Sequence, residues 1–181
     1  MRLVKNAQAG AQVVEDRFVR VEDDAPVPDH VPAIIPAVRF LADHAELSAR
    51  GAPTGVLWPN SRDVAELAPH LDRLALVALV FPAFKDGRAY SQVRLIRERY
   101  GFRNELRATG DVLRDQFLFL LRAGFDAFEV KKDADAAAFA SSIARYSVFY
   151  QPAGDARPSA LQRRLAHPIS TRPRVSRPEI A

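Results

Sequence analysis

No cysteine occurs in the 181 residues, which removes a disulfide framework, a thiolate zinc site, a cysteine-ligated iron–sulfur cluster and a cysteine nucleophile. Also missing is any apolar run near the roughly 20 residues a membrane span requires, and Met1-Arg2-Leu3-Val4-Lys5-Asn6 lacks the apolar stretch of a secretion signal. A cytoplasmic location without membrane contact is expected. The nucleotide fingerprints are absent too. Gly87, Gly101 and Gly110 stand alone, so there is no G-x-G-x-x-G, and neither G-x-x-x-x-G-K-[ST] nor a G-x-S-x-G elbow occurs. His30, His44, His70 and His167 show no ligand spacing, so no metal site is expected, and no serine stands in a nucleophile context.

What is present suits a globular chain, with 48% hydrophobic and 27% charged residues. The length fits one domain with some tail left over. From Arg157 onward six arginines face the single acid Glu179, a net of +5, while the preceding residues hold 20 basic and 21 acidic groups, a net of −1. The high pI therefore belongs to the tail. The sequence divides into an α/β domain over 1–156 with a β segment at its N-terminus, and a basic, Pro-containing tail over 157–181. Such a tail can attract nucleic acid through counterion release, but its composition is that of a solvated, disordered extension, and no nucleic-acid partner is assigned.

Residues 11–21 read as one or two short, half-exposed strands. Pro26, Pro28, Pro32 and Pro36 make 23–36 a connector, with Ile34-Ile35 as a short strand and Pro36 opening a helix that Gly51 stops. A strand–helix rhythm follows: strand 55–58 and helix 62–71, strand 74–81 and helix 91–100, strand 105–109 and helix 112–123, strand 127–130 and helix 133–146. Such alternation predicts a mostly parallel sheet of four or five strands with flanking helices, open or half-barrel-like. Leu74 to Phe81 is apolar without alternation, the pattern of a central strand covered by helices on both faces. Caps are expected from Asn60 or Ser61, Ser91, Asp111 and Asp133, with left-handed stops at Gly101 and Gly124.

Ligands of parallel sheets bind beyond the carboxyl ends of the strands, where loops and unpaired N–H groups converge. That rule selects 58–61, 82–91, 109–111 and 130–133. The second of these loops is the most polar. Candidate ligand-binding residues are Lys85, Asp86, Arg88, Tyr90, Ser91, Arg107, Asp111 and Arg114, a set whose cations, near helix starts at Ser91 and Val112, suit a small oxyanion or a phosphate-bearing ligand. Taken singly, each has a structural explanation as turn, cap or ion pair. No catalytic residue and no cofactor is assigned. Helix 112–123 is apolar around more than one face at Phe117-Leu118-Phe119-Leu120-Leu121, which implies either association, including a homo-oligomer, or burial between layers.

Phe81-Pro82-Ala83-Phe84-Lys85-Asp86-Gly87-Arg88-Ala89-Tyr90-Ser91 with Leu95-Ile96-Arg97-Glu98-Arg99-Tyr100-Gly101-Phe102, Glu105-Leu106-Arg107-Ala108-Thr109-Gly110-Asp111-Val112-Leu113-Arg114-Asp115-Gln116, and Gly124-Phe125-Asp126-Ala127-Phe128 resemble domain-of-unknown-function family 934. That bacterial family carries an oxidoreductase label tied to sulfite reduction, because its members tend to be encoded beside sulfite or nitrite reductase. The resemblance implies an accessory or oxidoreductase-like protein of sulfur assimilation, or a non-catalytic scaffold or assembly partner of a sulfite or nitrite reductase. It supplies no catalytic residues to carry over.

Overall fold

The structure is a computed structural model that describes residues 2–7, 10–144, 148–153 and 157–166. Its strands are β1 (Arg2–Ala7), β2 (Gly10–Val14), β3 (Val19–Arg20), β4 (Ala33–Pro36), β5 (Thr54–Trp58), β6 (Leu76–Phe81), β7 (Glu105–Gly110) and β8 (Ala127–Val130). The α-helices are α1 (Ala37–Ala49), α2 (Arg88–Arg94), α3 (Phe117–Ala123), α4 (Asp133–Ala144) and α5 (Ala160–Ala166). All strands join one eight-stranded sheet in the order β2-β1-β8-β7-β6-β5-β4-β3. Every pair from β3 to β8 is parallel, whereas β1 pairs antiparallel with both β2 and β8. The sheet is thus larger than the four or five strands expected, and mixed.

Its shape follows from the strand order. Each parallel crossover steps one strand over in the same direction, and right-handed crossovers taken that way put every connection on one face. A sheet wound on one side curls away from its helices. Trp58, Phe81, Phe117, Phe128 and Phe139 belong to the single large core between sheet and helices, with the Phe139 ring 4.7 Å from Phe117 and 4.6 Å from Phe128. Ile34, Leu76 and Ala78 form a separate small cluster on the other face, under Phe18 and Leu57. The uniform apolar character of β6 therefore has a different cause from two helical layers: helices cover one face, and the curl with Phe18 covers the other.

The curl is large. Arg20 on β3 bonds Glu129 on β8, which lies five strands away; in a flat sheet those strands would stand roughly 24 Å apart at ~4.8 Å per neighbour. The result is an open half-barrel with a concave face lined by alternate strand residues.

Several local expectations are corrected. Residues 62–71 form two 3₁₀ turns, Val64–Glu66 and Ala68–Arg73, in place of a helix, with the Asp63 carboxylate accepting from Ala65 N at 2.9 Å. Pro69 near the start of the second turn denies the donor that a continuous helix would use. Helix α2 starts at Arg88, so Ser91 lies inside it and caps nothing, and a π turn, Leu95–Arg99, continues it. Helix α3 is preceded by a 3₁₀ turn, Arg114–Gln116. Gly124 ends α3 at φ 117°, and Gly110 at φ 95° lets its backbone pass the Phe81 carbonyl, which a Cβ would strike. Of the stretch expected as a disordered tail, 160–166 is helical and tied back by Ala160 N to Phe149 O at 2.7 Å. Residues 145–146 of the expected helix 133–146, and 167–181, lie outside the described residues.

Candidate functional site

The carboxyl edge is bonded into one surface. Asp111, after β7, accepts from Phe84 N at 3.0 Å and from Lys131 Nζ at 3.1 Å, while Gln116 Nε2 donates to Phe84 O at 3.1 Å. The loops after β6, β7 and β8 are thereby stitched together. The fourth, after β5, is held by Gln92 of α2, whose Nε2 donates to Pro59 O at 3.2 Å and Arg62 O at 2.9 Å.

On this edge Asp86 and Arg88 form a two-point ion pair at 3.0 and 2.7 Å. The hydrogen bond from Arg88 holds the Asp86 carboxyl well below the usual carboxylate range. Asp111 is likewise held low, first by the Lys131 hydrogen bond and then by the Phe84 amide. Lys85, Arg88 and Arg114 are exposed. Tyr90 packs edge-on to Phe81 with ring centroids 5.4 Å apart, and burial, then the charge of Asp115, pushes its phenol up to about 12. Ser91 is exposed on α2.

Two expectations about this edge change. The backbone donors expected to receive an anion are taken by the chain itself, Arg88 N by Asp86 Oδ1 at 3.3 Å and Leu113 N by Gln116 Oε1 at 3.0 Å. Asp111 acts as a cross-link between loops and caps no helix. Seven of the eight predicted residues share the edge and α2 with its flanking turns; Arg107 is elsewhere.

Arg107 is wholly buried and lies on the concave face. Its Nε donates to Glu105 Oε1 at 2.8 Å, Nη1 to Asp16 Oδ2 at 2.6 Å and Glu129 Oε1 at 3.2 Å, and Nη2 to Asp16 Oδ1 at 3.1 Å. Thr109 Oγ1 donates to Glu129 Oε2 at 2.6 Å and accepts from Arg20 Nη2 at 2.7 Å, and Lys5 Nζ reaches Glu105 Oε2 at 2.6 Å. Burial works against the Arg107 charge, but Asp16 and Glu105 outweigh it and raise its pKa. Burial also opposes the Glu129 charge, and Arg20 and Thr109 outweigh it there, leaving that pKa lowered. Lys5, Arg20 and Arg107 face Asp16, Glu105 and Glu129, so the cluster's charges balance, and every nitrogen of the Arg107 guanidinium is bonded within it. It is a clasp that fixes the curl.

Sequence reasoning missed most of this clasp. Its signal was the alternation Glu105, Arg107, Thr109 against Leu106 and Ala108, which marks a strand with one polar face. Also missed was Gln92, a polar residue only 6% exposed, while Asn60, expected as a cap, is instead buried at 7% exposure. No cluster of three or more potential metal ligands exists among the described residues, and no helix there is long and apolar enough to cross a membrane.

Fold and edge together define a singly wound α/β half-barrel whose polar loops converge beyond the carboxyl ends of its strands. The chain belongs to the family described as Bacterial protein of unknown function (DUF934), whose model matches residues 55–161, from β5 into α5. A search of curated proteins finds no match.

Proposed function

We propose that this protein is an accessory or oxidoreductase-like factor of bacterial sulfur assimilation that holds a small oxyanion, or the phosphate of a larger ligand, at the carboxyl edge of its sheet. The observation that supports the binding part is the stitching of three edge loops through Asp111, Phe84 and Gln116, since exposed Lys85, Arg88 and Arg114 stand on or beside those loops. The sulfur part rests on the family resemblance, whose members tend to be encoded beside sulfite or nitrite reductase. Calorimetric titration with sulfite and with phosphate, against chloride at matched ionic strength, tests the reading. Saturable heat is expected, weakened roughly tenfold or more by Arg88→Ala, since hydrogen bonds to charged groups are the strong ones. Absence of saturable heat with both anions sinks it.

A second reading, a scaffold or assembly partner of a sulfite or nitrite reductase, is favoured by one observation. Helix α3 buries Phe117, Leu120 and Leu121 but leaves Phe119 66% exposed. Co-elution with purified reductase that Phe119→Ser abolishes would support it over ligand binding.

A further inference from the structure

Four side-chain atoms at the carboxyl end of β5 are buried without a hydrogen-bond partner: Trp58 Nε1, Asn60 Nδ2, Arg62 Nε and Gln92 Oε1. Only Arg50 Nε shares that condition among the described residues. Trp58, Asn60 and Arg62 stand in the turn that ends β5, and Gln92 of α2 bonds to its backbone. The Arg62 guanidinium lies over the Trp58 ring at 5.6 Å, and Gln92 grips the turn through Pro59 O and Arg62 O, so its amide orientation is fixed with Nε2 donating and Oε1 left over. Buried polar groups are nearly always paired, and each unpaired one costs free energy. Three of them in one turn, including the only tryptophan of the chain, and a fourth on the residue that grips that turn mark a place built for an occupant.

We propose that this turn is the inner seat of the edge ligand, and that the ligand is a small monoprotonated oxyanion. Three unpaired donors match oxygen lone pairs, and the one unpaired acceptor, Gln92 Oε1, matches a single hydroxyl. A fully ionised oxyanion has no hydrogen to give Gln92 and leaves it unpaired, the arrangement by which polar sites reject a near-isostere. The four atoms are shut from solvent, so entry requires the 59–62 turn to lift from Gln92.

The inference rests on the oxyanion reading of the edge, and Trp58 provides a readout that reading does not share. Inorganic phosphate, sulfite and sulfate are titrated into the full chain while the Trp58 emission is followed, with calorimetry on the same samples. Phosphate and sulfite are expected to shift the emission saturably, sulfate only at concentrations about tenfold higher, and Asn60→Leu, which removes a donor without leaving a void, to move the midpoint about tenfold. Saturable heat with silent emission, unaffected by Asn60→Leu, overturns the inner seat and leaves the edge reading standing. Equal response to sulfate overturns the monoprotonated class. Neither heat nor emission change overturns both readings.

Discussion

Arg107 shows how a charge becomes structural once its surroundings are counted. Its guanidinium is spent on Asp16, Glu105 and Glu129, so Arg107→Leu strands buried carboxylates and should cost about 3–5 kcal/mol in urea unfolding, the range for breaking a buried pair. A loss below 1 kcal/mol would mean the clasp carries little of the stability. Glu129 adds a pH dependence. Because its folded pKa is lowered, its stabilisation is complete above the ordinary glutamate value and is lost as the pH falls through the folded one. His70 behaves likewise at milder pH. Desolvation, then the neighbouring His44 and Arg73, lower its pKa, with the His44 ring centroid 4.6 Å away. The unfolded chain therefore takes up a proton first, and stability should drop as the pH falls below about 6.5. His70→Phe should flatten denaturant midpoints compared between about pH 7.5 and 5.5; an unchanged slope would exclude His70 as the cause.

At the scale of elements, strands were easier to read than helices. β5, β6, β7 and β8 fall within two residues of the expected bounds, because apolar β-rich runs bounded by turn residues have few alternatives. The helical stretches broke into 3₁₀ and π turns where side chains claim backbone groups, as Asp63 does and as Arg97 does by donating to Phe102 O at 2.7 Å, Asn104 O at 2.8 Å and Gly124 O at 3.0 Å. Such long-range claims leave no periodic trace in sequence. β1 was missed for the same reason: its partner β8 stands more than a hundred residues away. The edge loops were legible from the strand rhythm, but the pairing of their groups was not. The C-terminal segment yields a test at this scale. Arg157 lies 5.8 Å over Phe149, and Ser159 is buried, so a chain ending at 156 should melt several degrees below one ending at 166, at about 2–4 °C per kcal/mol lost. Equal melting temperatures would show that the docked segment adds nothing.

For the whole molecule, the one-sided winding explains both the curl and the location of the edge. Opening the clasp should therefore alter shape as well as stability. Arg20→Ala, which cuts the tie between β3 and β7–β8, is expected to raise hydrogen exchange at Thr109 and Glu129 while leaving β5 and β6 protected; uniform protection across the sheet would show that the curl stands without it. The pairing of β1 with β8 also bears on synthesis. Strands β3 to β7 can add to one another in the order in which the ribosome releases them, each new strand laid beside the last. The N-terminal hairpin cannot join that queue. It is made before them, yet its place opens only when residues 127–130 emerge, so it waits, its edge groups unpaired, while all the strands between are made.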